Sequence, residues 1–306
     1  PEIWQTAGMT TSDAVRVSVT LAVFTVVSEQ TDLRGSLPHL LSTGLPTGKP
    51  FHRGLFVVTK RSDDSDAGSD SVLPSSFVRP DESIREAARR IAREDLGLER
   101  RGVLRQTGIF DAVEREGENR VISIGYWAYA NFDDVAPILG GRDRVGLELV
   151  SSITTIDEMP GKQPSLGETD GFSRFGFRVR PNQMWGHKKV LSAEMNDSPI
   201  LGFDHDDIVF YSWRALRHGF DGQLDPVRFF GTRLFPDEFS LSELREFYEV
   251  CRGEQISPYQ FRRDMQKEDS YIEPSGGTSD SSRQGRGKPA SLFQVQRWAS
   301  PPAPPG

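Results

Sequence analysis

The stretch Ser76-Phe77-Val78-Arg79-Pro80-Asp81-Glu82-Ser83-Ile84-Arg85-Glu86-Ala87-Ala88-Arg89-Arg90-Ile91-Ala92-Arg93-Glu94-Asp95-Leu96-Gly97-Leu98 carries the reading of the fold. Ile84, Ala87, Ala88, Ile91, Ala92 and Asp95 recur at three- and four-residue spacing, which is one face of a helix, and Gly97 stops it. A helix is expected over Ser83 to Leu96. Upstream, Val15 to Val27 is rich in Val and Thr and reads as a strand, and Gly54 to Thr59 as a second. Between them, Thr31 to Arg53 carries Pro38, Pro46 and Pro50 and reads as a loop or short irregular insertion. Ser62 to Asp70 is a solvated acidic turn without the spacing of a calcium loop. Downstream, Val121 to Asn131 is aromatic and β-branched and reads as another strand. Residues 133–182 are Gly- and Pro-rich with short apolar patches and are expected to form an insertion.

Composition bounds the function. The chain has 306 residues, 36% of them hydrophobic and 26% charged, enough apolar material for a real core and a prior of about two domains. No run reaches the roughly 18 to 20 apolar residues of a membrane span. Val17 to Val27 is interrupted by Ser18, Thr20 and Thr25 and follows no basic leader, so it reads as a strand and not a signal peptide. The single cysteine, Cys251, excludes an internal disulfide and a four-cysteine zinc site, and a cytoplasmic location is expected, with no membrane partner. The net charge of −7, taken alone, speaks against nucleic acid.

The quoted stretch resembles the Nudix box, G-x5-E-x7-R-E-U-x-E-E-x-G-U with U apolar. Glu82, Arg90, Ala92, Glu94, Gly97 and Leu98 match, and Asp95 is a conservative match; Ser76 stands at the leading glycine and Ile91 at the glutamate after the arginine. In working Nudix hydrolases the glutamates of this helix hold magnesium against a pyrophosphate. Magnesium needs near-octahedral oxygen ligation, so the loss of an oxygen at Ile91 predicts an inefficient hydrolase, with Glu94 and Asp95 as at most a weak metal pair. No metal is expected and no catalytic residue is assigned. Such a cleft can still bind a ligand. Lys60, Arg61, Phe77, Arg79, Glu82, Glu94, Arg115 and Arg120 are the candidate ligand-binding residues, the cations as phosphate partners. Phe77, Phe110 or Tyr126 could stack on a base.

From Phe203 the character turns helical. Asp206 to Phe220 is amphipathic. Ser240 to Val250 opens with a capping box formed by Ser240 and Glu243. A further helix starts with Ser257 as N-cap and Pro258 at its first position, and runs to about Lys267. Tyr271-Ile272-Glu273 and Leu292 to Val295 read as short strands joined by the basic loop Ser275 to Lys288. Helix, turn, helix and then two strands is the winged helix-turn-helix layout. Its second helix would read DNA with Tyr259, Gln260, Arg262, Arg263 and Lys267, and its wing would set Arg283, Arg286 and Lys288 against phosphates. Residues 281–306 contain no acid, so the chain-wide charge hides a basic end.

The pairing goes further than either part. Leu73-Pro74, Phe77-Val78-Arg79 and Asp81-Glu82 before the box, Phe203-Asp204-His205, Phe239 to Arg245 with Tyr248-Glu249, Phe261-Arg262-Arg263 with Met265, and Gly287 to Ala290 with Leu292-Phe293 resemble the Nudix-related transcriptional regulators (NrtR). The resemblance spans about 15–131 and 185–297. It implies an α+β protein with an N-terminal Nudix-like α/β/α sandwich and an α-rich winged helix-turn-helix. The segments expected are 1–14 as a flexible start, 15–200 as the sensing domain, 201–297 as the DNA-binding domain and 298–306 as a Pro-rich tail. It also implies a homodimeric repressor of NAD-metabolism or pentose-utilisation genes that binds double-stranded operator DNA and senses ADP-ribose or a related nucleotide, with no required cofactor. The alternatives are a Nudix hydrolase of nucleoside diphosphate derivatives and a non-catalytic winged-helix scaffold.

Overall fold

A computed structural model of the chain describes residues 15–28, 53–62, 67–98, 104–112, 120–139, 145–153, 171–172, 177–181, 189–193, 200–221, 238–253, 255–267, 271–278 and 290–296. The two Val- and Thr-rich runs form β1 (Arg16–Ser28) and β2 (Arg53–Arg61). Ser18 through Thr25 are all buried, because alternate residues of β1 serve opposite faces of the sheet. Val19, Leu21 and Val23 enter one core, Ala22 and Phe24 the other.

Around β1 and β2 assemble β3 (Ser71–Val72), β4 (Ser75–Phe77), β5 (Arg105–Phe110), β6 (Val121–Tyr129), β7 (Val145–Ile153) and β8 (Gly171–Phe172). Among the described residues the path is β5-β6-β1-β2-β7-β8, with β3 on β2 and β4 on β1. β1 runs parallel to β6 and antiparallel to β2 and β4. The expectation for 133–182 is corrected here. β7 lies inside it, yet pairs with β2 from Arg53↔Ile153 to Lys60↔Val145, so it is a strand of the main sheet and not an excursion from it. A short helix, α2 (Phe132–Val135), precedes it, and a separate hairpin is formed by β9 (Phe177–Pro181) and β10 (Lys189–Ala193).

On one face lies α1 (Ile84–Glu94), opened by a capping box between Ser83 and Glu86 and followed by Gly97 at φ 59°. Ala87, Ala88, Ile91 and Leu96 bury against Val19, Leu21, Phe56, Val58 and Tyr126. The other face is covered by α3 (His205–Asp221) and α4 (Leu241–Arg252), through Ile208, Trp213, Leu244 and Phe247 against Phe24, Leu55, Val57 and Tyr129. Helices on both faces make the α/β/α sandwich. The start of α3 is pinned to the approach of the box. The Leu73 amide donates to His205 Nδ1 at 3.0 Å, and the Gly202 amide to Ser71 O at 2.8 Å. A Cβ on Gly202 would lie 2.6 Å from Ala67 O, so only glycine allows this approach.

The winged helix comprises β11 (Phe239–Ser240), α4, α5 (Pro258–Met265), β12 (Ile272–Thr278) and β13 (Ser291–Val295), with its strands in the order β11-β13-β12. α4 has the expected Ser240–Glu243 capping box and ends on Gly253 at φ 66°. Two details differ from expectation. Ser257 makes no side-chain capping bond, so Pro258, pre-set in φ, opens α5. Ser275 to Thr278, expected in the wing loop, belong to β12, with an irregular register between Pro274 and Thr278.

Candidate functional site

Arg90 organises the approach to α1. It is 7% exposed, and its Nε donates to Glu82 Oε2 at 2.9 Å, its Nη2 to Glu82 Oε1 at 2.6 Å and to Phe77 O at 3.0 Å, and its Nη1 to Ser76 Oγ at 3.2 Å. Glu82 also accepts from the Arg79 amide at 2.9 Å. The Arg90 guanidinium, helped by that amide, holds the Glu82 carboxyl down at about 2. The bidentate pair fixes the loop of the box to its helix. Ser76, which stands where the pattern has glycine, earns its place in β4 by accepting from Arg90. No signal in the sequence marks that exchange, because it spans fourteen residues.

The carboxylates at the end of α1 are met by cations. Lys60 Nζ, from β2, donates to Asp95 Oδ2 at 3.1 Å. Arg79 Nη2 donates to Glu94 Oε2 at 3.4 Å, and Arg93 Nη2 lies 3.8 Å from Glu94 Oε1. Ile91 is 0% exposed and sits in the core under the helix. The side chain is thus directed into the sheet. A resident magnesium ion does not fit this set. Oxygen ligation at about 2.0–2.1 Å would have to displace Lys60 and Arg79 and would find no oxygen at Ile91. Among the described residues no three His, Cys, Asp or Glu side chains converge on a metal position.

The other ligand candidates are placed as follows. Phe77 is half-buried beneath Arg16, whose Cζ lies 3.4 Å from the ring centroid, a cation–π contact that sequence reasoning missed. Arg61 pairs with Asp70 at 3.6 Å, both exposed. Arg120 donates to Asp111 O at 2.6 Å and Ala112 O at 3.0 Å, so it ties the residue before β6 to those after β5. Phe110 packs on Tyr211 with centroids 6.0 Å apart, and Tyr126 is buried in the core of the α1 face. Arg115 lies outside the described residues, as do Arg283, Arg286 and Lys288 of the wing.

In the winged helix, α5 is anchored by Phe261, 4% exposed, against the ring of Tyr248 at 5.4 Å. The Tyr248 and Tyr271 hydroxyls bond to each other, and the Tyr271 hydroxyl donates to Met265 Sδ at 3.6 Å. Glu249 of α4 accepts from the Ile256 amide at 2.9 Å, which sets the turn before α5; burial pushes its carboxyl up. With Phe261 inward, Tyr259, Arg262 and Arg263 are exposed. Gln260 and Lys267 are not presented so simply. Gln260 Nε2 donates to Asp264 Oδ2 at 2.9 Å and Lys267 Nζ to Asp264 Oδ1 at 2.8 Å. Lys267 first, and then Gln260, hold the Asp264 carboxyl below its ordinary range.

Residues 231–295 match the family described as the NrtR DNA-binding winged helix domain. NrtR of Shewanella oneidensis, solved with a 27mer DNA, is similar in fold, with TM-score 0.55 and 17% identity over 92% of this chain and 93% of that one. A further crystal structure of the same protein gives TM-score 0.52 and 14% identity over 92% and 94%. A MutT/nudix family protein from Enterococcus faecalis gives TM-score 0.54 and 13% identity over 93% and 89%. These likenesses establish an NrtR-like arrangement of a Nudix-type sandwich and a winged helix. No curated protein matches the chain.

Proposed function

We propose that this chain, with an NrtR-type winged helix on a Nudix-type sandwich, is a transcription regulator that binds operator DNA and senses a nucleotide such as ADP-ribose. The observation that carries the reading is α5, with Phe261 buried and Tyr259, Arg262 and Arg263 exposed, within the stretch that matches the DNA-binding family. Arginine can bond bidentately to guanine in the major groove. The S. oneidensis relative of similar fold was solved on DNA. The regulator acts as a homodimer, placing two recognition helices about one helical turn apart on a palindrome. It works as a repressor in the cytoplasm. No helix among the described residues is long and apolar enough to cross a membrane.

The sensing unit, 15–200, and the reading unit, 201–297, meet through α3 and α4, which both pack on the sheet. A nucleotide releases DNA only to the extent that it binds the two states differently, so the ligand must favour one placement of α4 against the sheet. The hydrolase alternative is disfavoured by Lys60 and Arg79 on the carboxylates of the box. The scaffold alternative is disfavoured by the exposed arginines of α5.

The test is a gel shift with DNA from upstream of the protein's own gene. Arg262→Ala with Arg263→Ala abolishes specific binding while circular dichroism stays unchanged. Undiminished affinity of that variant refutes the assignment of α5. Release of AMP from ADP-ribose with Mg²⁺ at ordinary enzyme rates refutes the non-catalytic reading.

A further inference from the structure

The box carboxylates hold positive charge that belongs to the chain itself. Lys60 and Asp95 meet at 3.1 Å with side chains only 26% and 24% exposed, while Arg79 and Arg93 flank Glu94 at 3.4 Å and 3.8 Å. The Lys60 backbone is fixed on both sides by the ladder, opposite Val72 of β3 and Val145 of β7. Its ammonium has three donors, of which Asp95 takes one. Three cations, Lys60, Arg79 and Arg93, face two carboxylates, Glu94 and Asp95, leaving a local surplus of one positive charge (3 − 2). In a hydrolase with this box, a divalent ion supplies the positive charge that bridges the carboxylates to phosphate oxygens. Here that charge is covalently attached and the third oxygen position, Ile91, is in the core.

We infer that Lys60 and Arg79 take the place of the divalent ion, so that the cleft binds a nucleoside diphosphate ester without metal. Asp95 and Glu94 then act only as counter-ions of the two cations and do not ligate metal. The inference rests on the sensing function proposed above and specifies how that site binds.

The experiment is calorimetric titration of the full-length protein with ADP-ribose, once with EDTA and once with excess Mg²⁺. Equal affinity in the two conditions is expected. Lys60→Met, which keeps the stem and removes the charge, weakens binding by about tenfold or more, while Lys60→Arg retains it. Asp95→Asn separates the two roles. A metal ligand lost at this position weakens binding, whereas a counter-ion lost there leaves metal-free binding unchanged or tighter, because Lys60 is released to the phosphates. Thermal melts of each variant, with and without ADP-ribose, give a second readout of the same ranking. Binding that needs Mg²⁺, or that Asp95→Asn abolishes in EDTA, overturns the inference and leaves the sensing function standing. Absence of binding in both conditions overturns the sensing function, and this inference with it.

Discussion

The ring of Tyr129, at the end of β6, meets the ring of Phe247 in α4 edge-on, with centroids 5.6 Å apart and planes at 78°. The contact joins the central sheet to the first helix of the winged helix. It is reinforced by Trp213 of α3, whose indole N–H donates to Cys251 O of α4 at 3.0 Å. The face of the sheet and the winged helix therefore share one apolar core. Motion of the reading head must either carry α4 with the sheet or break this core.

One cooperative unfolding transition follows from that shared core. Differential scanning calorimetry is expected to show a single peak for the wild type, and two resolved peaks would contradict it. Phe247, 2% exposed, loses its packing in Phe247→Ala, at a cost of about 3–5 kcal/mol.

Restoring the box letter does not restore a metal site. Ile91→Glu puts a carboxylate among Val19, Leu21 and Val58, and is expected to destabilise by roughly 3–5 kcal/mol, the range for a buried charge without a partner. Ile91→Val costs only about 0.5–1.5 kcal/mol. Urea denaturation of both variants checks the order, and an Ile91→Glu protein as stable as Ile91→Val contradicts the placement.

Glu82 makes stability depend on acid. Its carboxyl is lowered from an ordinary 4.5 to about 2 in the folded chain, chiefly by the Arg90 hydrogen bonds. A depressed acid contributes stability that is present above the unfolded value and is lost as pH falls through the folded one. The contribution of this pair therefore fades between about pH 4.5 and pH 2. Melting temperature against pH in that window should fall more steeply for the wild type than for Glu82→Gln. Parallel curves would remove the pair from the acid response.

Asp264 restrains two side chains of α5. Asp264→Ala frees Lys267 and Gln260, whose partners at 2.8 Å and 2.9 Å are then gone. One added phosphate contact steepens the dependence of log K on log salt by about 0.9. Affinity for unrelated DNA rises, and the ratio of specific to non-specific binding falls. Filter binding across a salt series measures both, and an unchanged slope means that Lys267 reaches no phosphate.

Much of this protein is determined by local sequence. The period and the terminal glycine of α1, the capping box at Ser240 and Glu243, and the Val-rich runs of β1 and β2 act through neighbours within a turn or along one strand, so a single sequence exposes them. The winged helix was legible for the same reason: its caps and short turn are local chemistry. Tertiary structure alone decided the rest. β7 reads as insertion in the sequence because its pairing partner, β2, lies far away in the chain. The side chain of Ile91 could be aligned with a metal ligand by letter, but only packing of α1 on the sheet shows that it enters the core. Lys60 meets Asp95 across 35 residues, and no periodicity encodes such a pair. Sequence determined which charges the chain carries; the fold decided which of them meet, because charge interaction depends on distance in space and on exposure to water, and neither quantity is written along the chain.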